Sequence, residues 1–141
     1  MRDDTEEYFG ISNGEQLVSG RFDVKLVQKP WGHEVIWAHT GQYVGKVLHI
    51  KAGHSLSLQY HNEKDETIHL LSGKMIYRVK GADGELHDAK LLAGDSWRNE
   101  PGTVHQMEAV TDCQVLEAST PHLDDVVRLS DRYGREGTSA P

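Results

Sequence analysis

A single cysteine, Cys113, leaves this 141-residue chain without an internal disulfide, which suits a reducing compartment. Within the run Cys113-Gln114-Val115-Leu116 it reads as a small packing side chain rather than a catalytic thiolate. Long apolar runs are missing too. None approaches the roughly 20 residues of a membrane helix, and the acidic start MRDDTEEYFG lacks the basic-then-apolar pattern of a signal peptide. The expectation is a soluble, unprocessed, cytoplasmic protein with no membrane partner. Positive charge is also scarce: 15 Lys and Arg against 22 Asp and Glu give a net charge of −7. No basic cluster offsets that balance, so nucleic acid is not an expected partner and a small metabolite is.

Histidine and glycine are what the chain has instead, with 9 His and 14 Gly. A chain of this length makes one domain by default and hides roughly two-thirds of the surface its unfolded form exposes. Residues 1–20 are acidic and poor in apolar side chains, and they read as an N-terminal arm; residues 134–141 read as a flexible tail. Between them run short apolar or alternating stretches, 34–38, 43–51, 55–61, 67–71, 75–80, 85–92, 104–110 and 114–118, with Gly, Asn or Asp at nearly every join. Such short strands with turns like Gly81-Ala82-Asp83-Gly84 predict an all-β sandwich or barrel. No helical period is sustained. Residues 123–129 suit a short helix or a strand.

One stretch carries chemistry. In residues 55–61 the alternation of a strand puts Ser55, Ser57, Gln59 and His61 on one face and Leu56, Leu58 and Tyr60 on the other. After a turn at 62–65 the chain re-enters with Glu66, Ile68 and Leu70 on one face, so Glu66 is expected to return opposite His61 in a second, neighbouring strand. A Pro-Gly turn, Pro101-Gly102, then delivers His105 to the start of another strand. Two imidazoles, a carboxylate and a neutral amide suit Zn, Fe, Mn, Co or Ni and leave positions open for water or substrate.

The segment Gly53-x5-Gln59-x-His61-x4-Glu66-x6-Gly73 resembles the first cupin motif, with Gln in place of the usual first His. Gly94 to His105 resembles the second, with its proline one position late at Pro101. The resemblance implies a jelly-roll β-barrel, here over residues 21–133. Lys29-Pro30-Trp31-Gly32, the string 55–61 and the stretch 124–135 further resemble the cupin domain of type II mannose-6-phosphate isomerases. That likeness implies a divalent metal, Zn first among the candidates, on Gln59, His61, Glu66 and His105. It also implies an isomerase or epimerase acting on a sugar or sugar phosphate, with Arg128 and Lys46 as catalytic residues. Ser57, Lys64, Arg98 and Trp31 are the expected substrate contacts: a hydroxyl donor, two cations for phosphate and an aromatic wall. Two other readings stand beside it: a non-catalytic carbohydrate- or metal-binding module, and an oxygenase or lyase acting on a small non-sugar acid. Pairing through sheet edges, with the arm crossing to a partner, makes a homodimer the expected assembly.

Overall fold

The computed structural model describes residues 19–138. The expected arm lies outside the described residues except for its last two positions. Among the described residues twelve strands form: β1 (Lys25–Lys29), β2 (Gly32–His39), β3 (Val44–Ile50), β4 (Leu58–Tyr60), β5 (Glu66–Ser72), β6 (Lys74–Lys80), β7 (Leu86–Leu92), β8 (Ser96–Asn99), β9 (His105–Ala109), β10 (Cys113–Ser119), β11 (Val127–Ser130) and β12 (Gly137–Thr138). They make two antiparallel six-stranded sheets, ordered β1-β2-β3-β10-β5-β8 and β12-β11-β4-β9-β6-β7. The fold is all-β, as the strand and turn spacing predicted, and it is the jelly-roll barrel that the motif resemblance implied. Among the described residues there is no helix long and apolar enough to cross a membrane.

The eight predicted runs all contain strands. The structure adds β1, β8 and β12, and it resolves the choice at 123–129 in favour of a strand, β11. The last strand, β12, pairs with β11 beyond the expected domain end at 133. Gly73, the final residue of the first motif, joins β5 to β6 with φ +98°, and a Cβ there would sit 2.3 Å from the carbonyl oxygen of Asp112. Both the backbone angle and the close approach demand glycine.

The inward rows of the strands change character along their length. On β10, Cys113 and Val115 point into the core, followed by Glu117 and Ser119, all buried. On β3, Ile50 and Leu48 are followed inward by Lys46; on β5, Leu70 and Ile68 by Glu66; on β9, Ala109 and Met107 by His105. The registers line these positions up, Leu48 opposite Val115 opposite Leu70, and Lys46 opposite Glu117. One end of the barrel is therefore filled by an apolar plug that includes Tyr77 and Met75. Each fully buried Leu, Ile or Val there contributes about 1.5–3 kcal/mol. At the other end the inward positions are ionisable, and the space between the sheets stays open.

Candidate metal centre

β4 lies between β9 and β11, which places Gln59 opposite His105 on one side and Arg128 on the other. Three residues after Tyr60 the chain has already left this sheet, and Glu66 begins β5 of the opposite one. The expected pairing of these two strands is therefore corrected. β4 and β5 do not share a ladder, and Glu66 meets His61 across the barrel interior. The turn between them is held from outside: Asp125 accepts from the backbone N–H of Asn62 (2.9 Å), Glu63 (2.6 Å) and Lys64 (2.9 Å). Thr120 adds a bond from the Asp65 N–H at 3.0 Å. The predicted alternation is also broken at Leu56, which lines the cavity beside Ser57 because regular strand starts only at Leu58.

His61, Glu66 and His105 are all buried, and their ligand atoms lie within 4.8 Å of one another. His61 Nε2 is 3.4 Å and His105 Nε2 3.1 Å from Glu66 Oε2. Each imidazole uses Nδ1–H as a donor, His61 to the Asp125 carbonyl (2.6 Å) and His105 to the Thr103 carbonyl (2.9 Å). A carbonyl only accepts, so the proton sits on Nδ1 and the Nε2 lone pair faces inward, the arrangement of a metal-bound histidine. Both Nε2 atoms are buried without a hydrogen-bond partner. Lone pairs converging on a carboxylate oxygen repel one another unless a cation lies among them, so the residues present fit a divalent metal. Gln59 lines the same cavity; its Oε1 accepts from Ser57 Oγ at 2.6 Å and retains a second lone pair.

Glu66 is oriented on both oxygens. Asn99 Nδ2 donates to Oε2 at 2.9 Å, and Asn99 in turn accepts from the Tyr77 hydroxyl. Lys64 Nζ lies 3.2 Å from Oε1. Burial alone would raise the Glu66 carboxyl, but the neighbouring Lys64 charge outweighs it and holds the group well below its ordinary range. Burial likewise opposes the charge on Lys64, yet Glu117 at 2.9 Å and Glu66 keep it protonated far above neutral pH.

The cavity measures about 220 Å³. Trp31, Lys46, Ser57, Lys64 and Arg128 line it along with Gln59, His61 and Glu66. Lys64, expected as a substrate contact, is 5% exposed and bridges two buried acids, Glu66 and Glu117. Lys46 donates to Glu34 at 2.9 Å. Arg98 does not reach the cavity: it lies on an edge strand with its side chain out, forked onto Asp65 at 3.0 and 2.7 Å. Trp97 packs beside Tyr77 against the apolar plug. Cys113 is buried in the same plug, and burial pushes its thiol up, consistent with packing. The residues that sequence reasoning missed are Asp125, Asn99, Glu34, Glu117 and Lys29. Asn99 and Asp125 fall within the stretches of motif resemblance, but no local pattern marks either as a support.

No family model matches the chain, and no curated protein sequence matches it either. Solved structures do match. KdgF from a Halomonas species aligns with 20% identity and a TM-score of 0.59, over 71% of this chain and 88% of that one. Oxalate decarboxylase OxdC of Bacillus subtilis aligns with 16% identity and a TM-score of 0.70, over 82% of this chain and 34% of that one. CapF, in a complex with 3-isopropenyl-tropolone, aligns with 17% identity and a TM-score of 0.63, over 77% and 34%. The chain thus spans about a third of the length of the latter two. The likeness at these identities is one of architecture, and the fold of the chain is that of the cupin jelly-roll β-barrels.

Proposed function

We propose that the chain is a metal-dependent cupin that isomerises or epimerises a sugar or sugar phosphate. The observation that carries this reading is the convergence of the His61 and His105 lone pairs on Glu66 inside a cavity that also presents Trp31, Ser57 and paired ionisable groups. The substrate class rests on the isomerase resemblance of the sequence. His61, Glu66 and His105, with Gln59 as a fourth donor, would hold the ion. When bound, a divalent cation polarises a carbonyl and its neighbouring hydroxyl and stabilises the negative charge that develops when the adjacent carbon loses a proton.

The remaining steps belong to the chain. Lys46 Nζ and Glu34 Oε1, 2.9 Å apart, give the cavity a donor and an acceptor side by side, which is what moving a proton between neighbouring carbons requires. The Trp31 ring, 2% exposed, offers a flat apolar surface to a sugar ring and keeps water from one wall. Ser57 Oγ–H, now held by Gln59, is placed to donate to a hydroxyl. The test is turnover of aldose and ketose phosphates in D2O, followed by proton exchange at the carbon next to the carbonyl. Exchange or isomerisation by the metal-loaded protein, lost in His61→Ala, is expected. Full turnover by His61→Ala would overturn the reading.

A second reading is supported by the oxalate decarboxylase neighbours, whose Bacillus subtilis representative has Mn(II) centres. Under it the chain is a lyase or oxygenase acting on a small non-sugar acid, and CO2 release or oxygen consumption from such acids, with sugars inert, separates the two. Ligand-dependent stabilisation with no product from any of these compounds would instead identify a binding module.

A further inference from the structure

Arg128 lines the same cavity as His61 and Glu66 and is 7% exposed, yet its Nε and Nη1 find no hydrogen-bond partner. The buried acids that share the cavity are already matched. Glu34 lies between Lys46 (2.9 Å) and Lys29 (3.9 Å), and Glu66 and Glu117 share Lys64. Both Asp125 oxygens accept backbone N–H groups. Asp131, the acid whose charge acts on Arg128, is committed to Arg135 through bonds from its backbone N–H (2.7 Å), Nε (3.0 Å) and Nη2 (3.2 Å). Asp124 also lines the cavity but stands exposed to solvent.

A guanidinium keeps its charge under all ordinary conditions, and burying one without a partner is unfavourable. The crowding of positive charge here is visible at Lys29 as well. Burial first, then Lys46, Arg135 and Arg128, lower its pKa even though Glu34 opposes them. We propose that Arg128, with Lys29 in its field, is the docking point for an oxyanion, a carboxylate or a phosphate, on the molecule whose other end reaches the metal triad. The proposal rests on the reading of this cavity as the substrate site and narrows it to anionic substrates. Arg128 supplies planar N–H donors suited to paired oxygen acceptors, and its charge-assisted bonds hold the anion and so orient the rest of the molecule.

The test uses the full chain in metal-free and metal-loaded forms, titrated with inorganic phosphate and with acetate at constant ionic strength. Saturable binding that weakens about tenfold in Arg128→Met, recovers partly in Arg128→Lys and is untouched in Lys80→Met is expected. The tighter anion identifies the source, a phosphorylated or a carboxylated ligand. Metal uptake by Arg128→Met reports that the variant is folded; should it fail to fold, the rise in melting midpoint of the unaltered chain in phosphate or acetate over chloride serves instead. Absence of saturable binding of either anion, or equal binding by Arg128→Met, overturns the proposal. Because the metal-free form is tested, a chain that proves to hold no metal leaves this result standing on its own.

Discussion

Nε2 of His105 lies 3.1 Å from Oε2 of Glu66, although His105 belongs to β9 of one sheet and Glu66 to β5 of the other. Two covalent crossings between the sheets lie beside the site, the turn after His61, which Asp125 holds, and residues 100–104, which lead from β8 into His105. Closure of the barrel is what brings His105 and Glu66 together. A cation bound there stabilises the closed form by mass action.

Metal content is the most direct consequence. Protein purified without chelator or nickel resin is expected to carry a near-stoichiometric divalent metal by mass spectrometry, and the double variant His61→Ala, His105→Ala to carry none. Refilling the stripped protein at a hundredfold excess over the dissociation constant should stabilise it by about 2.7 kcal/mol. Failure of the stripped chain to take up any divalent ion would remove the metal centre.

Asp125 positions His61 twice over, through its carbonyl on Nδ1 and its carboxylate on the turn that follows. Asp125→Ala keeps the carbonyl but frees the turn. Metal affinity, read by chelator competition, is expected to drop about 10–100-fold, as for other supports of ligating residues. Asp125→Asn, which keeps one acceptor, should fall between. Unchanged affinity in Asp125→Ala would mean the turn holds its shape unaided.

Acid should weaken the metal-free protein. Burial raises the Glu66 and Glu117 carboxyls, but Lys64 overcomes it at both and holds them below their ordinary range. Asp125 is lowered in the same sense, its three N–H bonds outweighing burial. A carboxyl depressed in the folded state contributes stability that is fully present above its unfolded pKa, about 4, and drains away as pH falls through the folded value. Melting midpoints measured from about pH 6 down to about pH 3 are expected to fall most steeply below about pH 4. A level profile over that range would contradict the burial of these charges.

Lys64 is the shared counter-charge of Glu66 and Glu117, and removing it strands two buried carboxylates. Lys64→Met is expected to cost about 3–5 kcal/mol in urea unfolding. Adding Glu117→Gln should recover part of that loss, since one stranded charge is then gone. A loss confined to about 1 kcal/mol, the range of an exposed pair, would show that the site admits water freely.

The sequence by itself determined the eight predicted strand runs and the residues His61, Glu66 and His105 that come together as a group able to hold a metal. Alternation is a local property, carried by neighbouring residues on one extended segment, so the inward faces of β3, β5, β9 and β10 are legible residue by residue. The motif spacings likewise carried Gln59, His61 and Glu66 to one cavity, His105 to within 3.1 Å of Glu66, and Gly73 to a turn that only glycine tolerates. Only the tertiary structure decided which sheet each strand joins, and with it that His61 and Glu66 face each other across the barrel rather than along a ladder. It also decided which cations matter. Arg98 and Lys64 look alike in sequence, yet one forks onto Asp65 at the surface and the other sits between two acids in the interior. The physical reason is that a charge is buried or solvated according to its partners. Those partners, Glu117 for Lys64 and Asp125 for the turn beside it, come from strands and loops more than fifty residues away along the chain.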